Sequence, residues 1–261
     1  MEETVSQSTG KLKPISWQLS VLLTLIPAGA AAAMIHIAIP RAVERTGTPF
    51  LYYYLPWWIG YMAIYLVASL VGYHLEGNAW DWPTLKSRFR LHSIRGRVWL
   101  WFLALLGTFI VAILLVNFLG PQLSSIPFLR MPDEFPTELN PSHPEGMQSG
   151  IFMGVALQGK WWILAVYFVG WLINIFGEEF WFRGYLLPRQ EREHGSRAWI
   201  THGFIWALNH IWQLWTLVIL FPYSFLWSFV IQRGRNTWIP ILVHGLGNFI
   251  PVVGILLGVM G

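Results

Sequence analysis

Apolar residues in this chain come in long unbroken blocks, not in the one-sided stripes of a soluble helix. The blocks run Leu19 to Pro40, Phe50 to Tyr73, Val98 to Leu119, Trp161 to Phe182, Trp199 to Trp212, Leu214 to Ile231 and Trp238 to Val259. A helix of about 20 such residues covers the hydrocarbon core of a bilayer. The pattern therefore predicts an all-α fold, a polytopic transmembrane bundle of about six to eight helices. The fifth block is short for a span and all but touches the sixth through Ile211 to Trp215, which leaves a tight helical hairpin or a single broken segment.

Composition agrees, with 55% hydrophobic and only 11% charged residues, as expected of a multi-spanning membrane protein. Tryptophans gather where blocks begin or end, at Trp57-Trp58, Trp80, Trp82, Trp99, Trp101 and Trp161-Trp162, and such amphipathic rings suit the headgroup level. Others are plain apolar filler, so no function rests on a single Trp.

Charge then sets the orientation. With a cytoplasmic N-terminus, the inside segments hold Lys11 and Lys13; Lys86, Arg88, Arg90, Arg95 and Arg97; Arg183, Arg189, Arg192 and Arg197; and Arg233 and Arg235. That places 13 of the 17 basic residues inside and leaves Arg41, Arg45, Arg130 and Lys160 outside, the arrangement the positive-inside rule prefers. The net charge of +4 thus reads as a topology signal. The basic residues are scattered through loops, which implies no nucleic-acid partner. Lys11, Lys13, the apolar run from Val21 and Ala28-Gly29-Ala30 could mimic a cleaved secretory signal, but the run continues through Ile39 and makes a full span. The absence of cysteine excludes disulfides, thiolate zinc sites and a cysteine nucleophile.

Three stretches follow from this reading. Residues 1–16 form a polar cytoplasmic tail. Residues 17–150 hold the N-terminal transmembrane helices and end in an external segment, Pro121 to Gly150, whose six prolines and the acids Asp133, Glu134, Glu138 and Glu145 argue against regular structure. Residues 151–261 form the core in which chemistry is expected, because Asn174, Glu178, Glu179, Arg183, His202, Asn209, His210, His244 and Asn248 all lie within or beside apolar helices there. No internal repeat is visible.

An acid at bilayer depth is costly unless it is paired or used. On a helix Glu179 and Arg183 are four residues apart with the acid first, the favourable order for an ion pair. Glu178 points about 100° away from its neighbour, on the face that carries Asn174 one turn earlier. Glu179 with Arg183 therefore reads as a structural clamp and Glu178 as the acid left for chemistry. Trp206 and His210 share one face of the fifth block, and His244 and Asn248 repeat that spacing in the last, with Gly245 and Gly247 between them to let another helix backbone approach. A cavity holding Glu178, His210, His244 and Asn248 could support hydrolysis, with Glu178 as general base for a water, the histidines as acid or oxyanion partners and Asn248 as a fixed donor. Singly, each His or Asn is better read as a structural hydrogen-bond partner; the reading as a site rests on their coincidence with an unpaired Glu. His202, Asn209 and Asn174 are read as structural.

Other catalytic signatures are missing. The chain has no His-Glu-x-x-His helix, Gly-x-Ser-x-Gly elbow, Gly-rich phosphate loop or Gly-x-Gly-x-x-Gly turn. Ser224 and Ser228 lie mid-helix, where hydroxyls bond back to their own backbone, which disfavours a rhomboid-like serine protease. Asp81 and Asp133 are the only aspartates and fall in loops, which disfavours an aspartyl intramembrane protease more strongly.

Taken in order, Glu178-Glu179-x-x-x-Arg183, Trp206-x-x-x-His210 and His244-x-x-x-Asn248 resemble the motif set of the CPBP family, the CAAX prenyl proteases and bacteriocin-processing proteins, also called the Abi family. The resemblance covers roughly residues 160–259. It implies a membrane endopeptidase with a cavity open to the cytoplasm, in which Glu178 is the base, His210 its polar partner, His244 and Asn248 an oxyanion pair, and Glu179 and Arg183 supporting residues. Trp206 stands where the family has Phe, a larger ring that could narrow the cavity. The resemblance leaves metal dependence open. Glu178, His210 and His244 could ligate zinc, but the Glu is not on a two-His helix, so direct water activation without a cofactor is preferred. The partners implied are the lipid bilayer and a peptide or membrane-anchored protein. The rival readings are a non-catalytic immunity or adaptor protein and, less favoured in the absence of inverted repeats, a transporter using the buried Glu and His groups.

Overall fold

The computed structural model describes residues 12–123, 125–132, 135–139 and 150–261. The expectations for Lys11, Asp133, Glu134 and Glu145 lie outside the described residues. The fold is almost wholly helical, and six helical stretches are long and apolar enough to cross a membrane. This is an integral, multi-pass membrane protein.

The first span, α1 (Trp17–Thr46), starts where the Ser16 side chain accepts a hydrogen bond from the Leu19 amide at 3.2 Å, satisfying one of the free amides of a helix start. It contains a π turn at Met34–Ala38 and stops at Gly47, whose left-handed φ of 66° ends the helix. Next, α2 (Phe50–Leu75) crosses back. A short interfacial helix, α3 (Trp82–Arg88), is capped by Asp81, which accepts from the Thr84 amide at 2.9 Å. The third span, α4 (Val98–Leu123), is the one most exposed to lipid. Leu100, Leu103, Ile110, Val111, Leu114 and Phe118 all stand uncovered on it, as a helix at the edge of a bundle in hydrocarbon requires.

Two 3₁₀ turns, Pro127–Leu129 and Thr137–Leu139, precede a two-stranded hairpin of β1 (Ile151–Phe152) and β2 (Val155–Ala156) in which Ile151 faces Ala156. The fourth stretch is α5 (Trp161–Glu178), which passes without a break into a π-helical segment, Glu179–Leu186, and then into α6 (Leu187–His194). The fifth apolar block becomes α7 (Ala198–Leu208), and after a turn comes α8 (Leu214–Gly234). At about 16 Å, α7 is too short to cross a core of about 30 Å alone. It packs along α8 as one arm of a hairpin, which decides between the two options the sequence left. The chain closes with α9 (Trp238–Asn248) and α10 (Ile250–Met260).

The two ends of the bundle differ. One end gathers the hairpin with Phe135, Trp215, Val252 and Val259. The other gathers α3, α6 and the loops after α2 and α8, around Tyr73, Phe89, Phe180 and Ile241, and it carries Arg88, Arg90, Arg189 and Arg235. A polar clamp fastens this second end. Glu76, at the end of α2, accepts from Arg88 Nε and Nη2 at 2.6 and 2.7 Å and from Arg189 Nη2 at 2.7 Å. Arg88 Nη1 also donates to the Gly184 carbonyl at 2.7 Å. The clamp ties the π-helical segment to α2 and α3. Between the ends, Tyr61, Tyr65, Phe182, Ile205, Trp206, Trp227 and Val243 form the central core, and the candidate site lies within it.

Candidate functional site

Glu178 and Glu179 sit where α5 widens into its π turn, a local irregularity that occurs often at functional sites. A regular α-helix was the expectation there. The i,i+4 pair forms all the same, with Arg183 Nη1 donating to Glu179 Oε1 at 3.1 Å and both side chains wholly buried. The Arg183 guanidinium lies over the Trp206 ring at 4.4 Å from its centre, a placement attractive for a cation.

Glu179 has a further partner that spacing within one helix could not reveal. His244 Nδ1 donates to the same Oε1 at 2.8 Å. Glu178 is held differently: Asn174 Nδ2 donates to its Oε1 at 3.0 Å and the Trp206 indole to its Oε2 at 3.3 Å. Glu178 is 3% exposed, so these two neutral donors supply the hydrogen bonds that a buried carboxylate needs.

The two halves of the site are joined by asparagines. Asn248 Nδ2 donates to Asn174 Oδ1 at 2.9 Å and lies 3.0 Å from His244 Nε2. With the His244 Nδ1 proton given to Glu179, Nε2 holds the lone pair and accepts from Asn248. An unbroken chain thus runs from Glu178 through Asn174, Asn248 and His244 to Glu179 and Arg183. Asn174, read from sequence as structural, is one of its links.

His210 follows the last turn of α7. Its Nδ1 donates to the Trp206 carbonyl at 2.9 Å, which fixes the tautomer and leaves Nε2 as an acceptor. His210 and His244 are both near enough to Glu178 to interact with it electrostatically. Next to His210, Asn209 Oδ1 accepts from the hydroxyls of Tyr61 and Tyr65 at 3.2 and 2.6 Å, and both phenols are close enough to feel the Glu178 charge. The sequence reading missed these two tyrosines; their i,i+4 spacing in the second block was the one available signal. His202 lies apart, fully buried and bonded through Nδ1 to Gln190 Oε1 at 2.8 Å, and Gln190 in turn reaches Ser20 Oγ at 3.2 Å.

The expectation for Gly245 and Gly247 changes. No helix backbone meets Gly245 or Gly247, which instead face the side chains of Trp171 and Phe109. The backbone approaches closely at Gly177, where an added Cβ would stand 2.5 Å from the Met62 carbonyl oxygen. Glu178, His210 and His244 are named as ligands only should a zinc ion be bound, and among the described residues no group of three or more His, Cys, Asp or Glu side chains could hold a metal ion. Both ring nitrogens of His244 are engaged already. In this arrangement these residues do not fit a zinc ion.

No curated protein and no solved structure matches the chain. Residues 160–250 do match a family model, that of the type II CAAX prenyl endopeptidase Rce1-like proteins, and that stretch contains every residue of the chain from Glu178 to Asn248 just described. Over that stretch the chain is similar to the Rce1-like CAAX endopeptidases, which supports the resemblance to the CPBP family of intramembrane proteases drawn from its motifs.

Proposed function

We propose that the protein is an intramembrane endopeptidase that hydrolyses a peptide bond in a peptide or membrane-anchored protein, with water activated by Glu178. One contrast carries this reading. Of two adjacent buried acids, Glu179 is hydrogen-bonded by Arg183 and His244, while among the described residues the hydrogen bonds to Glu178 come from Asn174 and Trp206. An intramembrane carboxylate without a cationic hydrogen-bond partner is expensive to keep, and a general base is a use that needs such a group.

In the proposed reaction Glu178 takes a proton from water as the water oxygen bonds to the scissile carbonyl carbon. The carbonyl electrons move onto its oxygen. His210 Nε2, a lone-pair acceptor, orients the water. The C–N bond then breaks, and the proton held by Glu178 passes to the leaving nitrogen. Asn248 and His244 face the oxyanion. His244 donates from Nε2 only as the imidazolium, with its Nδ1 remaining bonded to Glu179 Oε1 at 2.8 Å. Asn248 exchanges its bond to His244 for one to the oxyanion.

The basic end of the bundle faces the cytoplasm in this reading, in keeping with the positive-inside rule. His244 lies six residues into α9 from that end, a depth of about 9 Å, so the site is reached from the cytoplasmic side. The test compares membrane-bound peptides in cells making wild type or Glu178→Gln at equal abundance. Uncleaved precursors should accumulate with Glu178→Gln. Identical peptide profiles would overturn the proposal and favour an adaptor, whose binding survives the substitution.

A further inference from the structure

A cleft of about 540 Å³ opens at the basic end of the bundle, apart from Glu178 and Glu179, lined among others by Arg90, Glu191, Arg192, Gln232, Arg233 and Arg235. Its four arginines face a single carboxylate, so three positive charges are left over. Glu191 is engaged by Arg90 at 2.5 and 3.0 Å and, more loosely, by Arg235 at 3.9 Å. Arg192 and Arg233 have no carboxylate partner among the described residues, and Arg233 lies over the Phe229 ring at 5.3 Å.

The cleft is a built feature. The Arg90 carbonyl accepts from the Thr237 amide at 2.9 Å, and Asn236 Nδ2 donates to the His92 carbonyl at 2.7 Å, which locks the loop after α3 to the loop after α8. Gln232 bridges the Gly195 carbonyl and the Trp199 amide at 2.9 and 2.8 Å and fixes the third wall. The backbone adds an independent sign. Among the described residues three non-glycines have positive φ, and two of them are Arg90 at 55° and Arg235 at 47°. This region is rarely adopted by L side chains, and Arg235 holds the position after α8 where glycine is usual. Strain kept at two arginines that line one cleft points to a use for both guanidinium groups.

The location identifies the ligand. Arg233 is in the last turn of the candidate span α8, so the cleft lies at the depth of lipid headgroups. Guanidinium groups bind phosphate oxygens in a bidentate manner, and basic pockets between helices at this depth suit anionic headgroups. We propose that this cleft binds the phosphate headgroup of an anionic phospholipid from the leaflet at the basic end of the bundle.

The test titrates the full-length detergent-solubilised protein with dioctanoyl phosphatidylglycerol and follows its unfolding temperature; dioctanoyl phosphatidylcholine and inorganic phosphate serve as comparators. Phosphatidylglycerol should raise the midpoint and phosphatidylcholine should not, since a ligand that binds only the folded state stabilises it. Arg192→Gln and Arg233→Gln, both at exposed positions, should each weaken the apparent affinity about fivefold. Arg41→Gln/Arg45→Gln, at the far end of α1, should leave it unchanged. Equal shifts with both lipids, or undiminished binding by Arg192→Gln and Arg233→Gln, would overturn the proposal. An equal response to inorganic phosphate would make this a free-phosphate site and overturn the lipid assignment.

Discussion

His244 donates its Nδ1 proton to Glu179 Oε1 at 2.8 Å, the same oxygen that Arg183 reaches at 3.1 Å. Glu179 is thus the counter-charge for a wholly buried guanidinium and the orienting acceptor for an imidazole on another helix. Glu179→Gln leaves Arg183 charged and unpaired in a dry site, at a cost of about 3–5 kcal/mol. Glu178→Gln disturbs hydrogen bonds from two neutral donors, worth about 1–3 kcal/mol. Thermal unfolding in detergent should therefore show a clearly larger drop for Glu179→Gln. Equal drops would mean that the two acids do not differ as their partners imply.

Much of the fold could be read from the sequence because each span is a local property, a block of apolar residues of bilayer length. The Glu179–Arg183 pair was legible for the same reason, being fixed by a spacing of four. The link from Asn174 to Asn248 joins residues 74 apart, and nothing local marks it. Tyr61 and Tyr65 escaped notice because they come from the N-terminal half, among many aromatic residues that only fill space. The π turn at Glu179–Leu186 also leaves no periodic signature, since a helical reading assumes 3.6 residues per turn throughout. The close approach at Gly177 could be recognised only once Met62 was placed against it.

Gly177 is a sharp probe of how α5 is seated. An alanine Cβ there would meet the Met62 carbonyl oxygen at 2.5 Å, and backbone cannot swing aside as a side chain can. Gly177→Ala should cost about 1–3 kcal/mol as α5 and α2 move apart, and it should impair any activity of Glu178 next to it. At Gly245 the nearest atom would be 3.6 Å away, so Gly245→Ala should be neutral or stabilise through better helix propensity. Unfolding midpoints of the two variants give the comparison; a harmless Gly177→Ala would contradict the close approach.

Glu76 gives the fold a pH dependence outside the spans. Burial pushes its carboxyl up, but the hydrogen bond and charge of Arg88, then the charge of Arg189 and the bond from Asn78, outweigh burial and hold it below its ordinary value of 4.5. A carboxyl lowered in the folded state contributes stability above its unfolded pKa and loses it as pH falls through the folded value. Wild type should lose unfolding temperature progressively below about pH 4.5. Glu76→Gln should start lower at pH 7 and fall less steeply in acid. Parallel curves for the two proteins would show that Glu76 is not the titrating group.

Trp206 and Asn174 hold the two oxygens of one carboxylate from different helices, at 3.3 and 3.0 Å. Trp206→Phe keeps a ring beneath the Arg183 cation but deletes the indole donor, so it should cost about 0.5–1.5 kcal/mol and leave most of any cleavage intact, because Asn174 still anchors Oε1. Asn174→Ala alone removes the other anchor and the link to Asn248. Together the substitutions free both oxygens, and the Glu178 carboxylate then has neither donor to direct it. The double variant should depart from additivity by about 0.5–3 kcal/mol, the range for residues that share a partner. A thermodynamic cycle on unfolding and a matching one on cleavage rate measure the coupling. Strict additivity in both would show that the two donors do not act through Glu178.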